Sequence, residues 1–271
     1  MHTEYPLFLN TVLLGGTTEQ KLSAIAAAGF QQAELWQQDV SESDGNAEGV
    51  RQLLASLGVA LTDYQVLLDF DGAAQEYRAS KRQQAIEILD TAVKVGASTV
   101  LVPANTDSGC QQEKILEDMR WLVGEAELRG LRIAYEAMCW STFNNTTPAA
   151  LALVQQIDSP ALGLVIDAFH IFALQRSVAD LKEVPVEKIF LVQLSDVAEI
   201  PQADELTDIA RHQRLLPGEG VFPVAELLQM LRAKHYQGPL GLEVFNDELK
   251  NQPAEQVARQ AMAALRRVIA R

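Results

Sequence analysis

The chain reads as a (β/α)8 barrel of parallel strands, and three observations predict it. Short apolar runs alternate with stretches of helical spacing in eight units averaging about 30 residues. Several helical stretches stop at a glycine that leads straight into the next apolar run, at Gly29, Gly58, Gly96 and Gly130. Four of the later runs end in a residue able to bind a hard cation: LRIAYE at 131–136, LGLVID at 162–167, IFLVQ at 189–193 and LGLE at 240–243. Runs of Ile, Val and Leu suit strands buried on both faces, and packing does not ask for a carboxylate at their C-terminal ends. An open doubly wound sheet is the structural alternative, but no G-x-G-x-x-G follows the first strand. The 271 residues suit one barrel, and no shift in composition marks a second domain, so residues 1–271 are read as one.

The first run, PLFLNTVLL at 6–14, leads through Gly15-Gly16 to a capping box of Thr17 with Gln20 and a helix carrying Leu22, Ile25 and Ala26. QAELW at 32–36 is the second strand, the polar stretch 39–45 a loop, and Val50, Leu53, Leu54 and Leu57 a helix. VALTDYQVL at 59–67 is the third strand. Ala85, Ile86, Leu89 and Ala92 follow at helical spacing up to Gly96, where a left-handed cap is expected. The fourth strand, 99–102, is broken by Pro103, and Ile115, Met119, Leu122 and Ala126 line its helix. After the fifth strand a polar loop leads to Thr147, expected to cap a helix with Pro148 in its first position. The sixth strand ends at Asp167, and 169–181 has helix-like spacing. The seventh, 188–194, opens a long loop through Asp204, Asp208, Arg211, His212 and Arg214 to Pro217-Gly218-Glu219-Gly220. Val224, Leu227, Leu228 and Leu231 mark a helix, 239–244 the eighth strand, and Val257, Ala261, Leu265 and Val268 the last helix.

Acidic residues outnumber Lys and Arg by 36 to 22, a formal charge of −14 that repels nucleic acid and anionic lipid. No apolar run reaches the roughly 18–20 residues of a membrane span. His2-Thr3-Glu4-Tyr5 does not open a secretory signal, so a cytoplasmic location is expected, with neither nucleic acid nor membrane as partner. Cys110 and Cys139 are read as free thiols, which leaves the Asn144-Asn145-Thr146 sequon idle.

On a parallel barrel all strand C-termini meet on one face, so Glu136, Asp167, Gln193 and Glu243 are expected to point into one mouth. Three carboxylates crowded together take up protons unless a cation neutralises them. With one amide carbonyl they form an all-oxygen set suited to Mg²⁺ or Mn²⁺, with Co²⁺ as a substitute, rather than to zinc. The alternative for each acidic residue is to cap the next helix or face solvent. His170, three residues past Asp167, is a general acid or base or else a structural hydrogen bonder, and His212 is a second candidate. Arg211 and Arg214 either grip a substrate carboxylate or phosphate or pair with Asp204 and Asp208. Arg78 is a further anion anchor. Glu34, Tyr64, Gln65 and Asn105 lie near the rims of earlier strands, and Trp36 and Trp140 either wall the pocket or pack beside it.

YE at 135–136, DAFH at 167–170, VQLSD at 192–196, RHQRLLPGEGVFPV at 211–224 and LEVFND at 242–247 resemble the xylose-isomerase-like superfamily of metal-dependent barrels, over essentially the whole chain. The third ligand there is commonly histidine. Gln193, followed by L-S-D and an R-H-x-R…PGxG loop, resembles the 3-dehydroshikimate dehydratase branch. The resemblance implies a metal carried by Glu136, Asp167, Gln193 and Glu243, with His170 in proton transfer. It implies a lyase that eliminates water from 3-dehydroshikimate to give protocatechuate through a metal-stabilised enolate. The substrate class is a small polyhydroxylated molecule with a carboxylate, held by Arg78, Arg211, Arg214 or His212, and barrels of this superfamily are often homo-oligomers. Two alternatives stay within the superfamily: a keto-sugar epimerase or isomerase with Glu136 and Glu243 as acid and base, and an inosose dehydratase. A histidine-rich zinc endonuclease suits neither four histidines nor an acidic chain. A barrel that keeps its metal site as a binding module is the non-enzymatic alternative.

Overall fold

Branched apolar residues and strict parallel pairing build eight short strands: β1 (Leu7–Asn10), β2 (Gln32–Trp36), β3 (Ala60–Gln65), β4 (Thr99–Pro103), β5 (Arg132–Glu136), β6 (Leu162–Asp167), β7 (Ile189–Leu194) and β8 (Leu240–Leu242). Each pairs with the next in sequence, and β8 pairs back onto β1 to close the barrel. The structure, a computed structural model, describes residues 5–270, so His2-Thr3-Glu4 lies outside the described residues. The helices are α1 (Thr18–Ala28), α2 (Gln37–Ser41), α3 (Asn46–Leu57), α4 (Arg78–Val95), α5 (Gln112–Leu128), α6 (Thr147–Ile157), α7 (Ala168–Phe172), α8 (Leu206–His212), α9 (Val224–Ala233), α10 (Asp247–Lys250) and α11 (Ala254–Ile269). Among the described residues no helix is long and apolar enough to cross a membrane. Cys110 and Cys139 are both free.

Local chemistry explains where the elements start and stop. The Thr17–Gln20 capping box forms in full at the head of α1, and Gly96 closes α4 with φ 87°. Elsewhere the boundaries move. The apolar run at 6–14 is a strand only to Asn10, whose side chain accepts the Val12 N–H and turns the chain into a 3₁₀ segment, Thr11–Leu13. Thr146 rather than Thr147 caps α6, because its extended backbone aims Oγ1 at the Ala149 N–H; Pro148 is therefore the second helical residue. The 169–181 stretch is not one helix. It holds α7 and a separate 3₁₀ segment, Val178–Leu181, with Gln175 between them at φ 55°. The polar 39–45 stretch begins inside α2, and the loop after β7 contains α8.

Two apolar layers result. The larger lies between the strands and the surrounding helices. The smaller fills the barrel itself, where Phe8, Leu101, Ala134, Val165, Phe190 and Leu191 pack against one another. Arg132, at the start of β5, lays its guanidinium 4.4 Å from the centre of the Phe190 ring. Gly163 and Gly241 make room for this filling. A Cβ on Gly163 would collide with the Phe190 ring, and one on Gly241 with the ring and carbonyl of Phe8. Overpacking a filled core forces side chains off their rotamers, so Gly163→Ala is expected to cost about 1–3 kcal/mol. Urea unfolding followed by circular dichroism checks this; an unchanged midpoint would mean that the Phe190 ring yields freely.

Candidate active site

The polar side chains of the barrel interior gather at its C-terminal mouth because the strands end there in the residues that cannot join the apolar filling. Glu136 closes β5 and Asp167 closes β6; Gln193, in register with Asp167, lies one residue before the end of β7, and Glu243 follows β8 directly. All four are buried. Ligating atoms of Glu136, Asp167 and His170 lie within 4.8 Å of one another. Gln193 donates to Glu243 Oε1 at 3.2 Å, and Asn10 donates to the same oxygen at 3.0 Å. Arg214 ties the set together, with Nη1 2.9 Å from Asp167 Oδ2 and 3.4 Å from Glu243 Oε2.

Arg214 reaches this position through the loop after β7. Asp196 pairs with Leu215 and accepts the N–H groups of Gly218 and Phe222, which ties the Pro-Gly-Glu-Gly turn back to the start of the loop. The Arg214 N–H donates to the Phe245 carbonyl, and its Nε donates to the Ala210 carbonyl at the end of α8. The guanidinium sits 4.5 Å from the Phe169 ring centre and 5.3 Å from that of Phe245. It is a resident cation held on every side.

Burial dominates the electrostatics. It raises the Glu136 carboxyl well above its usual range, with Glu243 and Asp167 adding to the rise and Arg214 opposing it. Burial pushes Glu243 up to about 8 and Asp63 up to about 7. Glu34 is raised by burial and by its neighbours Asp63 and Glu243. His170 goes the other way, pushed down to about 4 because burial disfavours its cation. Its Nδ1 accepts the Cys139 N–H at 3.2 Å, so the neutral ring carries its proton on Nε2, which faces Asp167 Oδ2 at 3.5 Å and Glu136 Oε1 at 3.7 Å. Trp140 meets the same ring edge-on at 5.0 Å.

The cradle fits a divalent cation. Glu136 Oε1 and Gln193 Oε1 are buried oxygens with no hydrogen-bond partner among the described residues. Three carboxylates face a single guanidinium, the strand ends offer three carboxylates and one amide oxygen to an ion, and a His170 ring nitrogen lies within 4.8 Å of the Glu136 and Asp167 oxygens. The mouth also holds unpartnered buried donors, Trp36 Nε1 and Gln65 Nε2, on residues paired in register between β2 and β3.

Of the anion anchors singled out from the sequence, the structure brings only Arg214 to the mouth. Arg78 does not join the mouth: its guanidinium is 2.7 Å from Asp118 and 3.2 Å from Glu117 on α5, which answers its charge. His212 is exposed and pairs with Asp247 at 3.0 Å, and Arg211 beside it is exposed. Arg214 enters the site, but on the carboxylates rather than free to grip an anion. Asn10 and Asp63 were not singled out, and Glu34 only as a rim residue. All three are fully buried inside the barrel, and the available signal was a polar residue on the inward parity of an otherwise apolar strand.

Comparison with known proteins adds a family. A family model described as xylose isomerase-like TIM barrel matches residues 22–268. The chain is 36% identical over 257 residues to a 3-dehydroshikimate dehydratase of Pseudomonas putida, and 37% identical over 257 residues to one of Pseudomonas aeruginosa. Each match covers 94% of this chain and 40% of the relative, so the chain spans about two fifths of the length of those curated proteins. A xylose isomerase-like TIM barrel/4-hydroxyphenylpyruvate dioxygenase fusion protein superposes with a TM-score of 0.92 at 35% identity, over 98% of this chain and 42% of that one.

The raised carboxyl groups predict the proton balance of ion binding. Glu243, pushed up to about 8, holds a proton at pH 7 that a bound cation displaces, and the Glu136 carboxyl is raised in the same direction, so Mn²⁺ affinity rises from pH 6 to 8 with net proton release. Calorimetry in two buffers of different ionisation enthalpy measures that release, and identical apparent enthalpies in both would refute it.

Proposed function

The chain belongs to the xylose isomerase-like TIM barrel family, and on that premise we propose that it is a divalent-metal-dependent lyase that dehydrates 3-dehydroshikimate to protocatechuate. The observation that carries this reading is the 36–37% identity to 3-dehydroshikimate dehydratases across 94% of the chain. The donor set supports it, since three carboxylates and the Gln193 carbonyl suit Mg²⁺ or Mn²⁺ better than zinc. Glu136, Asp167, Gln193 and Glu243 would hold the ion. When bound, it would polarise the substrate carbonyl and stabilise the charge that develops on its oxygen.

The reaction takes a proton from the carbon next to that carbonyl and expels a hydroxyl, which needs a proton to leave as water. Glu136, one of whose two carboxylate oxygens would stay off the ion, suits the first task. The family resemblance put His170 in proton transfer. The Cys139 N–H occupies Nδ1 of the neutral ring, so Nε2–H would hold the departing hydroxyl by a hydrogen bond while the proton taken up by Glu136 leaves with it as water. Arg214 keeps Asp167 and Glu243 in place and shields their mutual repulsion. Trp36 Nε1 and Gln65 Nε2 would meet substrate oxygens, in place of Arg78 and His212, which pair instead with Asp118 and Asp247.

Incubation with 3-dehydroshikimate and Mg²⁺ or Mn²⁺ is expected to yield an aromatic absorbance, and silence with every divalent ion would sink the lyase reading. His170→Asn is expected to abolish dehydration while Mn²⁺ binding persists; full turnover in that variant would remove His170 from the reaction. Trp36→Phe keeps the ring and deletes one donor, so KM should rise about tenfold, the value of one hydrogen bond to a charged or strongly polar oxygen. Steady-state kinetics with an unchanged KM would exclude that contact.

A further inference from the structure

A glutamine side chain can present either its oxygen or its NH₂ group in nearly the same shape, so its surroundings decide which one faces a cation. Gln193 Nε2 is 2.9 Å from Glu34 Oε1 and 3.2 Å from Glu243 Oε1. Turned over, the amide would set its oxygen against two carboxylate oxygens and lose both hydrogen bonds. As it stands, both N–H groups are used and Oε1 has no partner among the described residues. Glu243 belongs to the proposed ligand set, whereas Glu34 comes from β2 and is not one of the four. Glu34 is fully buried, as is Asp63 of β3, its partner in register. β1 offers a parallel case, for Asn10 donates to Glu243 Oε1.

Resting on the metal-centre reading above, we infer that Glu34 is a positioning residue: it anchors the Gln193 amide so that only the carbonyl oxygen faces the ion. Its role lies in accepting a hydrogen bond at a fixed place, not in contact with substrate or cation. Partners that orient metal ligands in this way typically account for about 10–100-fold in metal affinity.

Mn²⁺ affinity, measured by calorimetry and by the electron paramagnetic resonance of free Mn²⁺, tests this independently of turnover. Glu34→Met keeps the volume but cannot accept, and is expected to weaken binding about 10–100-fold. Glu34→Gln keeps an accepting oxygen toward Gln193 and an N–H toward Asp63, and is expected to bind close to the wild-type value. Glu34→Asp draws the acceptor back by one methylene and should weaken binding too, which keeps the test open if the Met variant does not fold. Wild-type affinity in both Glu34→Met and Glu34→Asp would overturn the inference, as would a Glu34→Gln variant as weak as Glu34→Met. A wild-type chain that binds no divalent ion would overturn the metal centre itself, and the positioning role with it; loss of binding in Glu136→Gln is the matching control.

Discussion

Five carboxyl groups, those of Glu34, Asp63, Glu136, Asp167 and Glu243, are buried in the mouth of one barrel with a single guanidinium among them. Removing even one ionised carboxylate from water costs several kcal/mol unless charge or hydrogen bonds repay it. The fold answers this in three ways. Arg214 lies between Asp167 and Glu243; Asn10 and Gln193 supply N–H donors; and burial drives Glu136, Glu243, Glu34 and Asp63 toward their protonated forms. Much of the surrounding structure serves the first of these. The loop after β7, its bridge from Asp196 to Leu215 and the rings of Phe169 and Phe245 all bear on where one arginine ends.

The barrel divides by task. β5 to β8 bring the proposed ligands to the mouth, while β1 and β2 contribute Asn10 and Glu34, which hold two of those ligands by hydrogen bonds. A neutral amide among three acids lowers the charge that must be crowded together. It also makes the site depend on which way that amide is turned, a dependence that a carboxylate with two equivalent oxygens does not have.

The strand ends and most helix boundaries were legible because their signals are local. Apolar runs stop at a carboxylate, Thr17 finds Gln20 three residues on, and helices stop at glycine. What failed was not local. Spacing alone could not separate α7 from the 3₁₀ segment after it, since α7 is buried on all sides and offers no polar face to give a period. Arg78, Arg211 and Arg214 look alike in a sequence; only long-range pairing sends one to Asp118, leaves one in solvent and seals one between two phenylalanines. Glu34 was legible only as a rim residue and Asp63 stayed hidden, because the parity that turns them inward is set by closure of the sheet and Asp63 sits mid-strand with no run ending there.

Beneath the carboxyl groups the barrel is stoppered by the rings of Phe8 and Phe190, seated against Gly163 and Gly241. Those rings are hydrocarbon and offer the acids above them neither donor nor acceptor. Every hydrogen bond that steadies the carboxyl groups is therefore supplied from the level of the strand ends, by Asn10, Gln193, Arg214 and the Phe169 N–H.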